Sequence, residues 1–181
     1  MRKVLVISTS LRIGSNSDIL ARRLAAGARD AGHPVECISL KDKTIRFCKG
    51  CLACQKTQKC VLNDDANAIA EKVLAADALV FVTPIYYYEM SGQMKTLLDR
   101  LNPLYPSDYR FRSVYMLSVA AEDDPHVPDR AVNGLRGWVE CFEKASFAGA
   151  LFCGGLDAPG AADRSEEAQQ KAYDFGRSLC R

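Results

Sequence analysis

The stretch Val4-Leu5-Val6-Ile7-Ser8-Thr9-Ser10-Leu11-Arg12-Ile13-Gly14-Ser15-Asn16-Ser17 decides how the rest of the chain is read. Lys3 to Ser8 is an apolar run of strand length, and Asp18 to Ala31 carries Leu20, Leu24 and Ala28 at helical spacing. Between them lie the ten residues Ser8 to Ser17, five of them Ser or Thr, longer than a usual strand-to-helix connection. Hydroxyls and free amides at a helix N-terminus suit an anion, because the first-turn amides lack intrahelical partners and the helix dipole favours negative charge. Arg12 adds a charged donor. The plainer reading is that Ser15, Asn16 or Ser17 caps the helix while the rest is a solvated turn. The loop has no Gly-Lys-Ser/Thr and no Gly-x-Gly-x-x-Gly, so a monophosphate is favoured over a triphosphate or pyrophosphate.

Working outward, Gly32-His33-Pro34 ends the first helix and Val35 to Leu40 reads as a second strand. Asp64 and Asp65 open a helix running to about Ala76. Ala78-Leu79-Val80-Phe81-Val82-Thr83, ending at Pro84, is what a central parallel strand covered on both faces looks like. Met94, Leu97, Leu98 and Leu101 mark a helix that Asn102-Pro103 stops. Val114 to Val119 and Gly149 to Cys153 read as strands, Asp129 to Ala145 and Ser165 to Leu179 as helices. This alternation predicts an α/β three-layer sandwich: a five-stranded parallel sheet, order 2-1-3-4-5, with helices on both faces. The 181 residues fit one domain over 1–181, with a cysteine-rich loop at 46–62. In such folds ligands sit at the carboxyl ends of the strands.

Bulk properties exclude more than they assign. The 24 basic and 22 acidic residues leave a formal charge of +2, which argues against nucleic acid or an anionic membrane as partner. No apolar run approaches transmembrane length, and Val4 to Ile7 is too short for a secretory signal, so a cytoplasmic location is expected. In that reducing compartment the eight cysteines point to metal or redox roles before disulfides. His33 and His126 belong to no ligand pattern, and no Gly-x-Ser-x-Gly elbow is present. Trp138 is expected in the core, and Cys37, Cys141, Cys153 and Cys180 as small buried groups.

Two further segments carry chemistry. Pro84-Ile85-Tyr86-Tyr87-Tyr88-Glu89-Met90-Ser91 follows the central strand, where tyrosines can stack on a flat ring and loop amides can donate to it. Ser118-Val119-Ala120-Ala121 follows the next strand and would face the same ring. Cys48-x2-Cys51-x2-Cys54-x5-Cys60 can gather thiolates on an iron-sulfur cluster or a zinc ion; free or disulfide-linked thiols remain the other outcome. The ferredoxin-type spacing differs in its last gap and its following Pro.

Ser10-Leu11-Arg12 with Ser15-Asn16-Ser17 resembles the phosphate loop of the NADPH-dependent FMN reductase and iron-sulfur flavoprotein families of the flavodoxin-like superfamily. The resemblance extends through Asp64-Asp65, Ala76-Asp77, Thr83 to Tyr88, Gly92-Gln93-Met94-Lys95 and Asp99-Arg100, roughly the first hundred residues. It implies FMN held at its phosphate by Ser10, Arg12, Ser15, Asn16 and Ser17, and at its ring by Pro84, Ile85, Tyr86, Tyr87, Ser118 and Ala120. No side chain need act as acid or base, since the chemistry belongs to the flavin. NAD(P)H would be co-substrate, a small molecule such as a quinone or flavin the acceptor, and a homodimer or higher homo-oligomer the assembly. The spacing of Cys48, Cys51, Cys54 and Cys60 resembles the compact cluster motif of the iron-sulfur flavoproteins. That implies the alternative, an electron carrier using FMN and a 4Fe-4S cluster, reduced by ferredoxin. A third reading is a cofactor-free regulatory domain whose cysteines sense oxidants or zinc.

Overall fold

The computed structural model describes residues 1–180. Its strands are β1 (Val4–Ser8), β2 (Val35–Ser39), β3 (Ala78–Tyr86), β4 (Glu89–Met90), β5 (Ser113–Val119) and β6 (Ser146–Cys153). Its helices are α1 (Asn16–Asp30), α2 (Cys54–Thr57), α3 (Asp65–Ala75), α4 (Gly92–Arg100), α5 (Asp129–Glu140) and α6 (Glu166–Ser178). The parallel strands run β2-β1-β3-β5-β6, the flavodoxin-like order expected from the sequence. The sixth strand, β4, folds back antiparallel on the end of β3, pairing Tyr86 with Glu89 and Ile85 with Met90.

Alternation along each central strand builds two cores. Leu5, Ile7, Leu79, Phe81, Val114 and Met116 face α3, α4 and α5. Val4, Val6, Val80, Val82, Tyr115 and Leu117 face α1 and α6. Every residue of β1 is buried, which is why its sequence shows no polar alternation. The outer strand β6 alternates exposed and half-buried positions over most of its length. Its pairing with β5 slips between Val114 and Tyr115, a bulge at which Ala148 is left over. Three boundaries differ from expectation. β3 runs on through Pro84 to Tyr86, because its last residues pair with β5 and β4. α5 stops at Glu140 rather than Ala145, since the residues after it form a turn in which Phe142 still reaches the core and prolongs the helical pattern. β6 begins at Ser146, before the apolar signal does.

α1 and α6 cross unusually closely, and two glycines permit it. A Cβ on Gly27 would lie 2.0 Å from the Tyr173 carbonyl oxygen, and one on Gly176 would lie 2.0 Å from that of Leu24. Backbone atoms cannot rotate aside as a side chain would. In an exposed helix Gly→Ala gains about 0.5–1 kcal/mol; here Gly176→Ala should instead lose about 2–3 kcal/mol in urea unfolding, because the helices must separate.

Candidate functional site

The carboxyl ends of β1 and β3 are pinned together by a buried polar trio. Thr9, just past β1, donates its amide to Val82 O at 2.9 Å, and its hydroxyl lies 3.0 Å from Ser91 Oγ. The Ser91 amide donates to Thr83 Oγ1 at 3.0 Å, and Ser91 Oγ caps α4 by accepting from the Met94 amide at 3.2 Å. All three side chains are buried. Such groups are costly unless paired, so the trio fixes the loop after β1 against the segment that enters α4.

Above this knot lies a cleft of about 210 Å3 at the carboxyl ends of β1, β3 and β5. One wall is Ser10, Arg12, Ser15, Asn16 and Ser17; the other is Pro84, Ile85 and Tyr86, with Val119, Ala120 and Ala121 beyond. Ser10, Ser15, Asn16 and Ser17 are buried. Ser15 is the helix cap of the plainer reading, its Oγ accepting from the Asp18 amide at 3.3 Å, and it also lines the cleft, where its own proton remains to donate. Asn16 and Ser17, at the start of α1 where backbone amides lack intrahelical partners, line the same wall.

Asn16 is spent differently. Its Nδ2 donates to Leu156 O at 2.9 Å and Ala158 O at 3.0 Å, and its Oδ1 accepts from the Ala162 amide at 3.0 Å. The side chain therefore ties the start of α1 to the loop after β6, and only its backbone is available to a ligand. Arg12 donates to Asp157 O at 3.0 Å, at the exposed rim. Leu156 and Asp157 complete the cleft and are missing from the sequence-based set. The available signal was the Gly154-Gly155 and Pro159-Gly160 punctuation after the last strand, at the same sheet edge.

Two expected ring contacts stand apart from this wall. Ser118 is fully buried, and its hydroxyl points at Leu151 O, 3.5 Å away within the sheet. Tyr87 and Tyr88 form the two-residue link between β3 and β4 with φ of +52° and +66°, the left-handed pair of a type I′ hairpin that usually takes Asn-Gly. A bulky side chain there costs about 1–2 kcal/mol per residue. The Tyr88 ring lies 5.8 Å from the Arg130 guanidinium and its hydroxyl 3.4 Å from Glu122, which bridges the hairpin to the loop after β5.

The cysteine-rich loop is anchored by an ion pair. Arg100, at the end of α4, grips Asp64 with Nη1 at 2.8 Å and Nη2 at 2.9 Å, in the fork geometry that suits a carboxylate. The same guanidinium donates to Arg46 O at 2.6 Å and Leu62 O at 3.3 Å, so one side chain holds both ends of the loop. Burial alone would raise the Asp64 pKa, but donors from Arg100 and from the Arg46 and Ala66 amides outweigh it and hold the carboxyl down to about 2. Burial likewise opposes the Arg100 charge, and Asp64 with the neighbouring Cys60 pushes its pKa up. Cys48 and Cys51 are exposed, Cys60 is half-buried, and Cys54 is buried with Asn102 Nδ2 donating to its sulfur at 3.2 Å. Among the described residues, no three His, Cys, Asp or Glu side chains are grouped closely enough to hold a metal ion. The four thiols are thus not brought together as placed. Cys37 and Cys141, expected inside, are exposed, on the edge strand and just past the end of α5; Cys153 is buried.

Residues 2–150 match the family model described as NADPH-dependent FMN reductase. An iron-sulfur flavoprotein of Methanocaldococcus jannaschii is 37% identical over 102 residues, covering 56% of this chain and 53% of its own length. An NAD(P)H-dependent FAD/FMN reductase of Geobacillus thermodenitrificans is 31% identical over 103 residues, covering 56% and 52%. These alignments span about half the length of each relative. Among solved structures, an NAD(P)H:quinone oxidoreductase from Methanothermobacter marburgensis superposes with a TM-score of 0.76 at 17% identity, covering 99% of this chain and 96% of that one.

Two variants test the scaffold under this site. Thr83→Val removes the acceptor of the buried Ser91 amide and should cost about 1–3 kcal/mol in thermal or urea unfolding, with Thr83→Ser near wild type. Asp64→Asn leaves Arg100 buried without its counter-charge and should cost about 3 kcal/mol at pH 7. Because the Asp64 pKa falls from 3.8 to about 2 on folding, its contribution is complete above pH 3.8 and disappears as the pH falls through about 2. Acid titration of the variant should therefore be flatter than wild type across that window.

Proposed function

This chain belongs to the NADPH-dependent FMN reductase family, and we propose that it is an oxidoreductase passing electrons from NAD(P)H through bound FMN to a small acceptor such as a quinone or a flavin. The observation that carries the proposal is the convergence, in one cleft, of a buried serine cradle at a helix N-terminus with a Pro-Ile-Tyr wall from the neighbouring strand. The cradle matches a phosphate; the wall matches a flat ring.

FMN supplies the hydride and electron chemistry when bound. The chain's own residues bind and orient it. Ser10, Ser15 and Ser17, with the first-turn amides of α1 and the charge of Arg12, are the donors for the phosphate. Asn16 sets the position of that cradle through the loop after β6. Pro84, Ile85 and Tyr86, with Val119 to Ala121 beyond them, line the side of the cleft that would take the ring. Arg12, Tyr86 and Asp157 are the ionisable residues lining the cleft, and hydride transfer through a flavin needs none of them as acid or base. The exposed Ile13, in the loop after β1, and the exposed Phe47, in the cysteine-rich loop, support a homo-oligomer, which sedimentation velocity would detect.

A second reading is favoured by the Asn102 donor on the Cys54 sulfur, an N–H···S contact of the sort that surrounds ligating thiolates. It makes the protein an electron carrier with FMN and a four-iron cluster at Cys48, Cys51, Cys54 and Cys60, reduced by ferredoxin. Iron and sulfide analysis of anaerobically purified protein separates the readings: near four irons per chain supports the carrier, iron-free protein with full FMN the reductase.

Purified protein should be yellow and should bleach at the flavin band when NADPH is added anaerobically; an unchanged spectrum rejects the reductase reading. Ser17→Ala should weaken FMN binding roughly tenfold or more without loss of stability, as expected for one hydrogen bond to a charged group. Ser15→Ala should weaken binding and also lower stability by about 1 kcal/mol, because that hydroxyl caps α1 as well.

A further inference from the structure

Tyr87 is an aromatic side chain that the fold itself does not use. It occupies the first position of the β3–β4 turn at φ +52° and is 96% exposed. Among the described residues it enters no side-chain hydrogen bond, ring pair or cation–π contact, although both neighbours are engaged: Tyr86 lines the cleft, and Tyr88 is held by Arg130 and Glu122. Glycine or asparagine would suit this backbone conformation better. A tyrosine there bears the steric penalty and recovers none of it through burial. Bulky residues held in such conformations without packing cluster where ligands dock.

We propose that Tyr87, next in the chain to the cleft-lining Tyr86, is the stacking platform for the flat aromatic ring of the electron acceptor as it approaches the cleft. The proposal rests on the oxidoreductase reading above and names a residue that sets its acceptor preference. The turn is suited to this: β4 pairing fixes it on one side and the Tyr88 bridge on the other, so a ring with two rotatable bonds is presented in a fixed frame. A flat π system gains from the face of Tyr87; an acceptor without a ring gains nothing.

The test uses the FMN-loaded protein, with a naphthoquinone as the flat acceptor and ferricyanide as the ringless one. Naphthoquinone binding is titrated at equilibrium by flavin fluorescence, and steady-state KM is measured for both acceptors. Tyr87→Gly should retain FMN at wild-type affinity, unfold no earlier than wild type, and bind naphthoquinone about tenfold more weakly with its KM raised alike. Its KM for ferricyanide should stay put, and Tyr87→Phe should restore the naphthoquinone values. Unchanged naphthoquinone binding overturns the proposal, as does an equal rise for ferricyanide. Weakened FMN retention would make Tyr87 a cofactor contact, and a smaller species in sedimentation velocity would make it a subunit contact; either outcome also overturns it. If wild type fails to oxidise NAD(P)H yet Tyr87→Gly still loses naphthoquinone binding, the oxidoreductase reading falls and the stacking role stands.

Discussion

A parallel strand covered by helices on both faces has no side of its own for polar side chains, so polar chemistry collects where the strands stop. β1 is the clearest instance, with Val4 to Ser8 entirely buried and Thr9, Ser10 and the serine cradle following at once. The same constraint acts on β3, whose apolar interior gives way to Thr83, Pro84 and the tyrosines. Because β2 lies on one side of β1 and β3 on the other, the chain changes direction there and opens a cleft that no crossover helix covers. The buried trio of Thr9, Thr83 and Ser91 then converts two neighbouring loops into one rigid floor.

The Arg100 and Asp64 pair has a different importance. α4 is capped by Ser91, inside that floor, and ends at Arg100, which holds both ends of the cysteine-rich loop. One helix of nine residues thus links the floor of the cleft to the loop carrying Cys48, Cys51, Cys54 and Cys60. A buried ion pair is a weak source of net stability, but it is a strict device for position, since breaking it strands a charge.

β1, β3 and β5 were legible because a short, unbroken apolar run fits little besides a strand covered on both faces, and the strand order followed from their alternation with helices. β6 was legible only in part. Its Ser146 to Ala148 segment is an edge carrying a bulge, so the residues there answer to solvent as much as to packing. At the site, the serines and Pro84 to Tyr86 could be read because a helix start and a strand end are local features. Asn16 could not: its partners lie 140 to 146 residues away, and nothing local distinguishes a ligand contact from a tie. Nor could the left-handed Tyr87 and Tyr88, since no Gly or Asn marks that turn. Ser118 misled because a hydroxyl near a strand end reads as accessible until the register turns it into the sheet.

The tie made by Asn16 has a consequence for folding as well as for the cleft. The residue that opens the serine wall of the cleft also fastens the loop that leads into α6, the last helix described. Occupation of the cradle and closure of the C-terminal crossover therefore draw on the same native geometry. By mass action, a ligand present at a hundred times its dissociation constant adds about 2.7 kcal/mol to the folded state. A ligand held by that wall would thereby also hold the loop that leads into α6.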